Sequence, residues 1–227
     1  MKNKLILLRH GKSCWNKLNR FTGWVDIPLS MDGVEEAFRA GEKIKDIPID
    51  IVFMSSLVRA QMTAFLAMMA HSSQKVLVVK HPKEGKMDKW ACIYDKTAEE
   101  MTIPTYCDPA LNERYYGELQ GVDKDEARRR YGKEQVHIWR RSFNVAPPSG
   151  ESLAKTAKRT LPYFKKKILP YIKEGKNVFI SAHGNSLRSI VMYLDNLSEE
   201  EVLQLELATG DPVMYEYVDG KFYKLVE

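Results

Sequence analysis

The stretch Lys4-Leu5-Ile6-Leu7-Leu8, followed at once by Arg9-His10-Gly11, decides how the rest of the chain is interpreted. Its apolar run is short and ends at a charged residue, which is typical of a buried β-strand. Similar runs occur at residues 51–54 and 177–181, with longer segments of helical period between them. This alternation predicts an α/β fold of three layers, in which helices cover both faces of a mostly parallel sheet.

The spacing of apolar residues predicts helices over residues 32–45, 57–70, 123–143, 151–171 and 186–194. Residues 73–101 hold two short apolar runs around a lysine-rich turn, which favours a protruding β-hairpin. No linker or repeat divides the sequence. We therefore expect a single domain over residues 1–227.

The composition is that of an ordinary globular protein, with 44% hydrophobic and 29% charged residues in 227. No apolar run approaches the roughly 20 residues of a membrane span, so we expect no membrane partner. Cys14, Cys92 and Cys107 are scattered and odd in number, which favours reduced thiols and a cytoplasmic location. A net charge of +5 fits either an anionic small molecule or weak nucleic-acid binding.

The Arg9-His10-Gly11 turn carries the first chemical signal. A strand end holds a histidine rigidly, and a neutral imidazole near pH 7 can attack phosphorus. Arg9 offers a planar fork for phosphate oxygens, and Gly11 lets a ligand approach the backbone. A lone histidine at a strand end is more often structural, so this turn needs support from elsewhere in the chain.

A second strand leads into Ala182-His183-Gly184-Asn185 and repeats the design. Two such turns in one sheet bring both imidazoles to one phosphate, one as the nucleophile and one as a hydrogen-bond donor. The rival interpretation makes His10 and His183 metal ligands. Zinc sites commonly include a closely spaced ligand pair, whereas His71, His81 and His137 are isolated, so we expect no metal.

Several longer motifs support the phosphoryl-transfer interpretation: NKLNRFTGW at 16–24, SSLVRA at 55–60, LNERYYG at 111–117, WRRSF at 139–143 and AHGNSLR at 182–188. Together with the RHG turn they closely resemble the cofactor-dependent phosphoglycerate mutases of the histidine phosphatase superfamily. RHG alone marks the superfamily, whereas FTGW, LNERxYG and WRRxF mark the mutase branch.

The resemblance implies a phosphoglycerate mutase-like fold that interconverts 3-phosphoglycerate and 2-phosphoglycerate. It implies a phosphohistidine at His10, primed by 2,3-bisphosphoglycerate without a metal. Arg9, Arg59 and His183 would surround the phosphoryl group, and Glu113 would be the general acid and base. The implied substrate contacts are Ser13, Asn16, Thr22, Gly23, Arg59, Tyr116, Lys124, Arg140, Arg141, Gly184 and Asn185.

Three departures from the family pattern qualify this picture. Lys12 replaces the usual glutamate, residues at about 73–101 form an insertion, and the sequence, which ends at Glu227, lacks most of the C-terminal tail of the longer family members. From the short end we expect more bisphosphatase side activity than in long-tailed members. The alternatives are a bisphosphoglycerate phosphatase or synthase, a general histidine phosphatase, or a non-enzymatic protein that binds anions through the basic residues 128–141. The intact histidine turns disfavour the non-enzymatic alternative, so we expect phosphoglycerates and no nucleic acid as partners. The sequence is compatible with a homo-oligomer.

Overall fold

A computed structural model describes residues 2–81 and 85–225. In these residues seven strands form one sheet, in the order β3-β4-β2-β5-β1-β6-β7. The strands are β1 Asn3–Arg9, β2 Ile51–Met54, β3 Val76–Val79, β4 Thr102–Cys107, β5 Val178–Ala182, β6 Pro212–Val218 and β7 Lys221–Leu225. The three strands predicted from apolar runs are β1, β2 and β5, and they lie side by side in the centre.

Parallel pairing dominates the sheet. β1 pairs with β5, β5 with β2, β2 with β4 and β4 with β3, all in parallel. Only β6 and β7 join in antiparallel fashion at one edge of the described sheet. Because the central strands run the same way, their carboxyl ends meet at one edge, where ligands bind in such sheets.

Helices cover both faces of the sheet. They are α1 Cys14–Lys17, α2 Met31–Ile44, α3 Val58–Met69, α4 Met87–Trp90, α5 Lys96–Glu100, α6 Lys124–Tyr131, α7 Lys133–Arg141, α8 Leu153–Tyr163, α9 Leu169–Lys173, α10 Gly184–Leu194 and α11 Glu199–Gln204. Leu5 and Leu7 of β1 pack with residues of α9 and α10, whereas Ile6 and Leu8 pack with α2 and α3. The predicted three-layer architecture is confirmed.

The hairpin predicted within residues 73–101 is wrong. The strand β3 pairs in parallel with β4, which lies beyond the stretch, so β3 belongs to the main sheet. The second apolar run, at residues 90–94, forms no strand: Trp90 ends α4, and α5 follows. Residues 82–84, in the lysine-rich turn, lie outside the described residues. A parallel pair needs a crossover connection, which explains the length of this stretch.

Two of the predicted helices are interrupted. The helix over 123–143 divides at Gly132, whose φ of 86° no helix interior allows. The helix over 151–171 consists of α8 and α9 joined by a π-helical turn, Phe164–Ile168. The start of α2 also differs from the expected Asp32, because Ser30 is the cap and accepts a hydrogen bond from the backbone N–H of Gly33.

The helices α6 and α7 lie outside the two main layers. They pack through a separate cluster formed by Phe21, Leu119, Ala127, Val136 and Trp139. This cluster brings the basic end of α7 beside the carboxyl ends of β1 and β5. In the described part of the chain, no helix is long and apolar enough to cross a membrane.

Candidate active site

A cavity of about 380 Å³ lies at the carboxyl ends of β1 and β5. Among the described residues, eight basic side chains and two carboxylates line it, which predicts an anionic ligand. The lining consists of Arg9, His10, Asn16, Arg20, Phe21, Thr22, Gly23, Arg59, Glu113, Arg114, Tyr116, Lys124, Arg140, Arg141, Gly184, Asn185, Arg188, Glu206, Leu207 and Ala208.

The geometry of His10 leaves one ring nitrogen available for reaction. Nδ1 lies 2.7 Å from the carbonyl oxygen of Gly11, and because a carbonyl only accepts, Nδ1 carries the proton. The other nitrogen, Nε2, keeps a lone pair and lies 3.4 Å from Nε of Arg59. The next strand fixes the backbone, since the N–H of His10 donates to the carbonyl of Ala182 at 3.0 Å. Nε2 is therefore the ring nitrogen of His10 that keeps an acceptor lone pair.

Gly11 is needed for packing against the backbone rather than for ligand approach. A Cβ at this position would lie 2.2 Å from the carbonyl oxygen of Gly33, at the start of α2. A Cβ on Gly33 would in turn lie 2.1 Å from the carbonyl oxygen of Lys12. The turn after β1 and the first turn of α2 are thus in direct backbone contact, which immobilises His10.

A chain of hydrogen bonds fixes His183. Its Nε2 lies 2.7 Å from Oγ of Ser55. That hydroxyl donates to Oδ1 of Asn112 at 2.7 Å and also accepts from the N–H of Leu57, so its remaining lone pair accepts from Nε2–H. Nδ1 of His183 is buried and has no partner among the described residues. The ring centroids of His10 and His183 are 4.9 Å apart.

Burial keeps both imidazoles neutral. It lowers the pKa of His10 well below the ordinary 6.5, and the guanidinium groups of Arg59 and Arg9 lower it further. Burial likewise lowers the pKa of His183, with Arg59 again the next cause. Near pH 7 both rings are therefore neutral, and each has one nitrogen with an available lone pair.

Arg59 and Arg9 flank the two rings. Arg59 is buried, and it donates to the carbonyls of Gly23 at 2.7 Å and Val25 at 3.0 Å. Burial lowers the pKa of Arg59 to about 10, which still leaves it cationic at pH 7. Nε of Arg9 is buried with no partner in the described residues. A phosphoryl group beside His10 would supply the missing acceptor.

Glu113 lies across the cavity and is 9% exposed. Its Oε1 accepts from Nδ2 of Asn185 at 2.7 Å and from the N–H of Arg114 at 2.7 Å. Its carbonyl accepts from Nη2 of Arg159 at 2.8 Å, and Arg159 forms a bidentate ion pair with Glu151 at 2.9 Å for both bonds. Both the side chain and the backbone of Glu113 are thus fixed.

A second cationic pole faces the histidines, formed by Lys124 at the start of α6 and by Arg140 and Arg141 in the last turn of α7. Burial lowers the pKa of Lys124, with Arg140 the next cause, and burial also lowers the pKa of Arg140. Like charges held together in a half-buried site favour an anion between them.

The remaining predicted contacts fall into two groups. Asn16, Thr22, Gly23 and Tyr116 line the cavity, as do Gly184 and Asn185 of α10. Ser13 does not, because it is fully buried as the cap of α1 and shares a reciprocal pair of hydrogen bonds with Asn16. Its direct contact with substrate stays a prediction.

Sequence reasoning missed two kinds of residue. Arg20, Arg114, Arg188 and Glu206 line the cavity, although the three arginines stand inside the family motifs. Ser55, Asn112 and Arg159 do not line it but hold residues that do.

Lys12 does not add charge to the cavity. Its Nζ lies 3.9 Å from a carboxylate oxygen of Glu36, and its backbone N–H donates to the same carboxylate at 2.7 Å.

Comparison with known proteins identifies the superfamily and the fold. The model of the histidine phosphatase superfamily (branch 1) matches residues 5–101 and 91–226. Solved structures of the same fold include Mycobacterial hydrolase 1, with TM-score 0.76, 19% identity and coverage of 99% of this chain and 97% of that one. Another is YhfR of Bacillus stearothermophilus, with TM-score 0.76, 22% identity and coverage of 99% and 96%. Fold and site thus define a histidine phosphatase superfamily protein.

Two curated relatives specify the branch. The 2,3-bisphosphoglycerate-dependent phosphoglycerate mutase of Protochlamydia amoebophila is 59% identical over 97% of this chain and 98% of its own. The mutase of the same name from Chlamydia muridarum is 57% identical over 97% and 96%. The chain belongs to the family of 2,3-bisphosphoglycerate-dependent phosphoglycerate mutases.

Proposed function

We propose that this enzyme interconverts 3-phosphoglycerate and 2-phosphoglycerate, with His10 as the residue that carries the phosphoryl group. The observation that supports this most is the geometry of Nε2 of His10. Its lone pair is fixed by the Nδ1–H bond to the Gly11 carbonyl at 2.7 Å and faces the guanidinium of Arg59 at 3.4 Å. A neutral nucleophile beside a cation suits attack on a phosphate.

In the forward half, phosphorylated His10 gives up its phosphoryl group to the free hydroxyl of the substrate. The new O–P bond forms as the Nε2–P bond breaks, and Glu113 takes the hydroxyl proton. The product is 2,3-bisphosphoglycerate. In the second half, Nε2 of His10 attacks the other phosphate, and Glu113 returns its proton to the departing oxygen. Protons and phosphoryl groups balance over the cycle.

His183 and the arginines stabilise the phosphoryl group during transfer. Nδ1 of His183, which has no partner among the described residues, takes a proton from solvent and then donates a hydrogen bond to a phosphoryl oxygen, beside Nε of Arg9. Lys124, Arg140 and Arg141 bind whichever anionic end of the substrate lies away from His10. In either orientation, the bisphosphate is therefore bound by positively charged groups at each of its two ends.

Priming follows from the same geometry, because His10 needs a phosphoryl group before its first turnover. We propose 2,3-bisphosphoglycerate as the donor, and three buried polar atoms without partners in the described residues, on Arg9, Thr22 and Arg114, fit an anion of this kind.

We further propose that no metal takes part. Within residues 2–81 and 85–225, no group of three His, Cys, Asp or Glu side chains could hold one. A cytoplasmic location is also proposed, as expected for a glycolytic and gluconeogenic step, and a homo-oligomer stays a prediction.

The test is labelling with 2,3-bisphosphoglycerate that carries radioactive phosphate. The enzyme should acquire an acid-labile, alkali-stable label, H10A should acquire none, and H137A should label normally because His137 is exposed and does not line the cavity. Normal labelling of folded H10A would refute the assignment of His10. A parallel assay coupled to enolase measures 2-phosphoglycerate, and release of inorganic phosphate in its place would make the enzyme a phosphatase.

A further inference from the structure

The segment over residues 203–210 forms one wall of the cavity and is held by arginines of the site. Nε of Arg188 donates to the carbonyl of Leu205 at 2.8 Å, and Nη1 of Arg9 donates to the carbonyl of Leu207 at 2.7 Å. The N–H of Gly210 donates to the carbonyl of Arg9 at 3.1 Å. Leu207 is buried in the main core. The backbone on both sides of Glu206 is therefore fixed.

This anchoring directs the side chain of Glu206 onto the second cationic pole. Its Oε1 lies 3.0 Å from Nη2 of Arg141, whose Nη1 also donates to the carbonyl of Leu203 at 3.3 Å. Of the two carboxylates that line the cavity in the described chain, Glu113 has a role in proton transfer. Glu206 has none in the reaction proposed above.

We propose that Glu206 is a specificity-determining residue. Its carboxylate pairs with Arg141 until the substrate displaces it, and it weakens binding of the bisphosphate more than binding of the monophosphate. This inference rests on the proposed function. The side chain of Glu206 is 77% exposed, so its ion pair is weak and a multiply charged ligand displaces it. The displaced carboxylate stays near the mouth of the cavity because its backbone is fixed.

The discrimination arises from ligand charge. Each phosphate carries nearly two negative charges at pH 7 and the carboxylate one, so the bisphosphate has about two more than the monophosphate. Repulsion from a fixed carboxylate grows with the charge of the ligand. Glu206 thus limits how long the bisphosphate is held, so that it turns over or leaves and does not block the site.

Three variants test this proposal. E206Q removes the charge, E206D keeps it, and E200Q removes a charge from the exposed side of the neighbouring helix α11, away from the cavity. In E206Q the apparent Kd for 3-phosphoglycerate should fall roughly twofold and that for 2,3-bisphosphoglycerate roughly fivefold, both measured by calorimetry. E206D and E200Q should resemble the parent enzyme. The gain in E206Q should shrink at high salt, because an exposed charge is screened.

Equal changes for both ligands in E206Q, or no change, would overturn the proposal, as would the same gain in E200Q. Failure of the proposed function is a separate result: the parent enzyme would then form no 2-phosphoglycerate. The calorimetric comparison of the two ligands does not depend on turnover, so it still decides the role of Glu206 in that case.

Discussion

Replacing Ser55 by alanine removes the hydroxyl that holds His183. Ser55 is completely buried, and its Oγ joins His183, Asn112 and the N–H of Leu57 at 2.7, 2.7 and 3.1 Å. Asn112 keeps its bonds to Ser56, but Nε2–H of His183 and the N–H of Leu57 lose their acceptor. A buried donor without a partner costs about 1–3 kcal/mol, so S55A should lower the free energy of unfolding by about 3 kcal/mol.

The same change should slow phosphoryl transfer. Without Ser55 the ring of His183 loses the contact that fixes its orientation, and a displacement of about 1 Å costs up to roughly 100-fold in rate. We expect kcat in the enolase-coupled assay to fall about 10- to 100-fold in S55A.

The matched control is S56A. The hydroxyl of Ser56 donates to the same Oδ1 of Asn112 at 2.8 Å, and within the described residues Ser56 makes no hydrogen bond to His183. S56A should cost about 1 kcal/mol in urea unfolding and leave kcat nearly unchanged. The reasoning is refuted if folded S55A keeps the parent kcat, or if both variants lose kcat equally.

Three further outcomes are expected. Because burial lowers the pKa of His10 and His183, the unfolded chain binds protons that the folded chain does not as the pH falls through 6.5. The free energy of unfolding should therefore be greatest above that pH and fall below it by up to about 1.4 kcal/mol per pH unit for each histidine. Urea titrations of H10A at several pH values should show a shallower fall. Dialysis against a strong chelator should leave mutase activity unchanged, since arginines supply the positive charge; activity restored by added zinc or manganese would contradict this. R159K breaks the bidentate ion pair with Glu151 and loosens the carbonyl group of Glu113. The kcat should therefore fall about tenfold, with an altered pH dependence of kcat and little change in KM. An unchanged pH dependence would count against a positioning role for Arg159.

Local patterns were enough to predict the central strands and both histidine turns. Apolar runs at β1, β2 and β5 are unambiguous because both faces of a central strand are buried. The errors arose where tertiary pairing decides the outcome. Whether β3 forms a hairpin or pairs in parallel with β4 depends on the intervening chain. The helical spacing of charged residues continues on both sides of Gly132, so the sequence pattern does not indicate the positive φ of this glycine.

The residues that support the site were harder to predict than those that line it. Ser55 meets His183, and Arg159 meets the carbonyl of Glu113, through contacts between segments that are distant in the sequence. A hydrogen bond of this kind leaves no periodic signal in either segment. The family motifs included Ser55 and Asn112 as letters, but their role becomes visible only when the atoms are placed.

The pairing of β1 with β5 has a consequence for how the protein is made. The first strand of the chain finds its neighbours only in β5 and β6, near the other end. A nascent chain on the ribosome therefore cannot assemble this cavity until the residues of β5 and β6 have emerged. Such high contact order slows folding and leaves strand edges exposed in the meantime. The same arrangement means that the imidazoles of His10 and His183 come together only after β5 has joined the sheet beside β1.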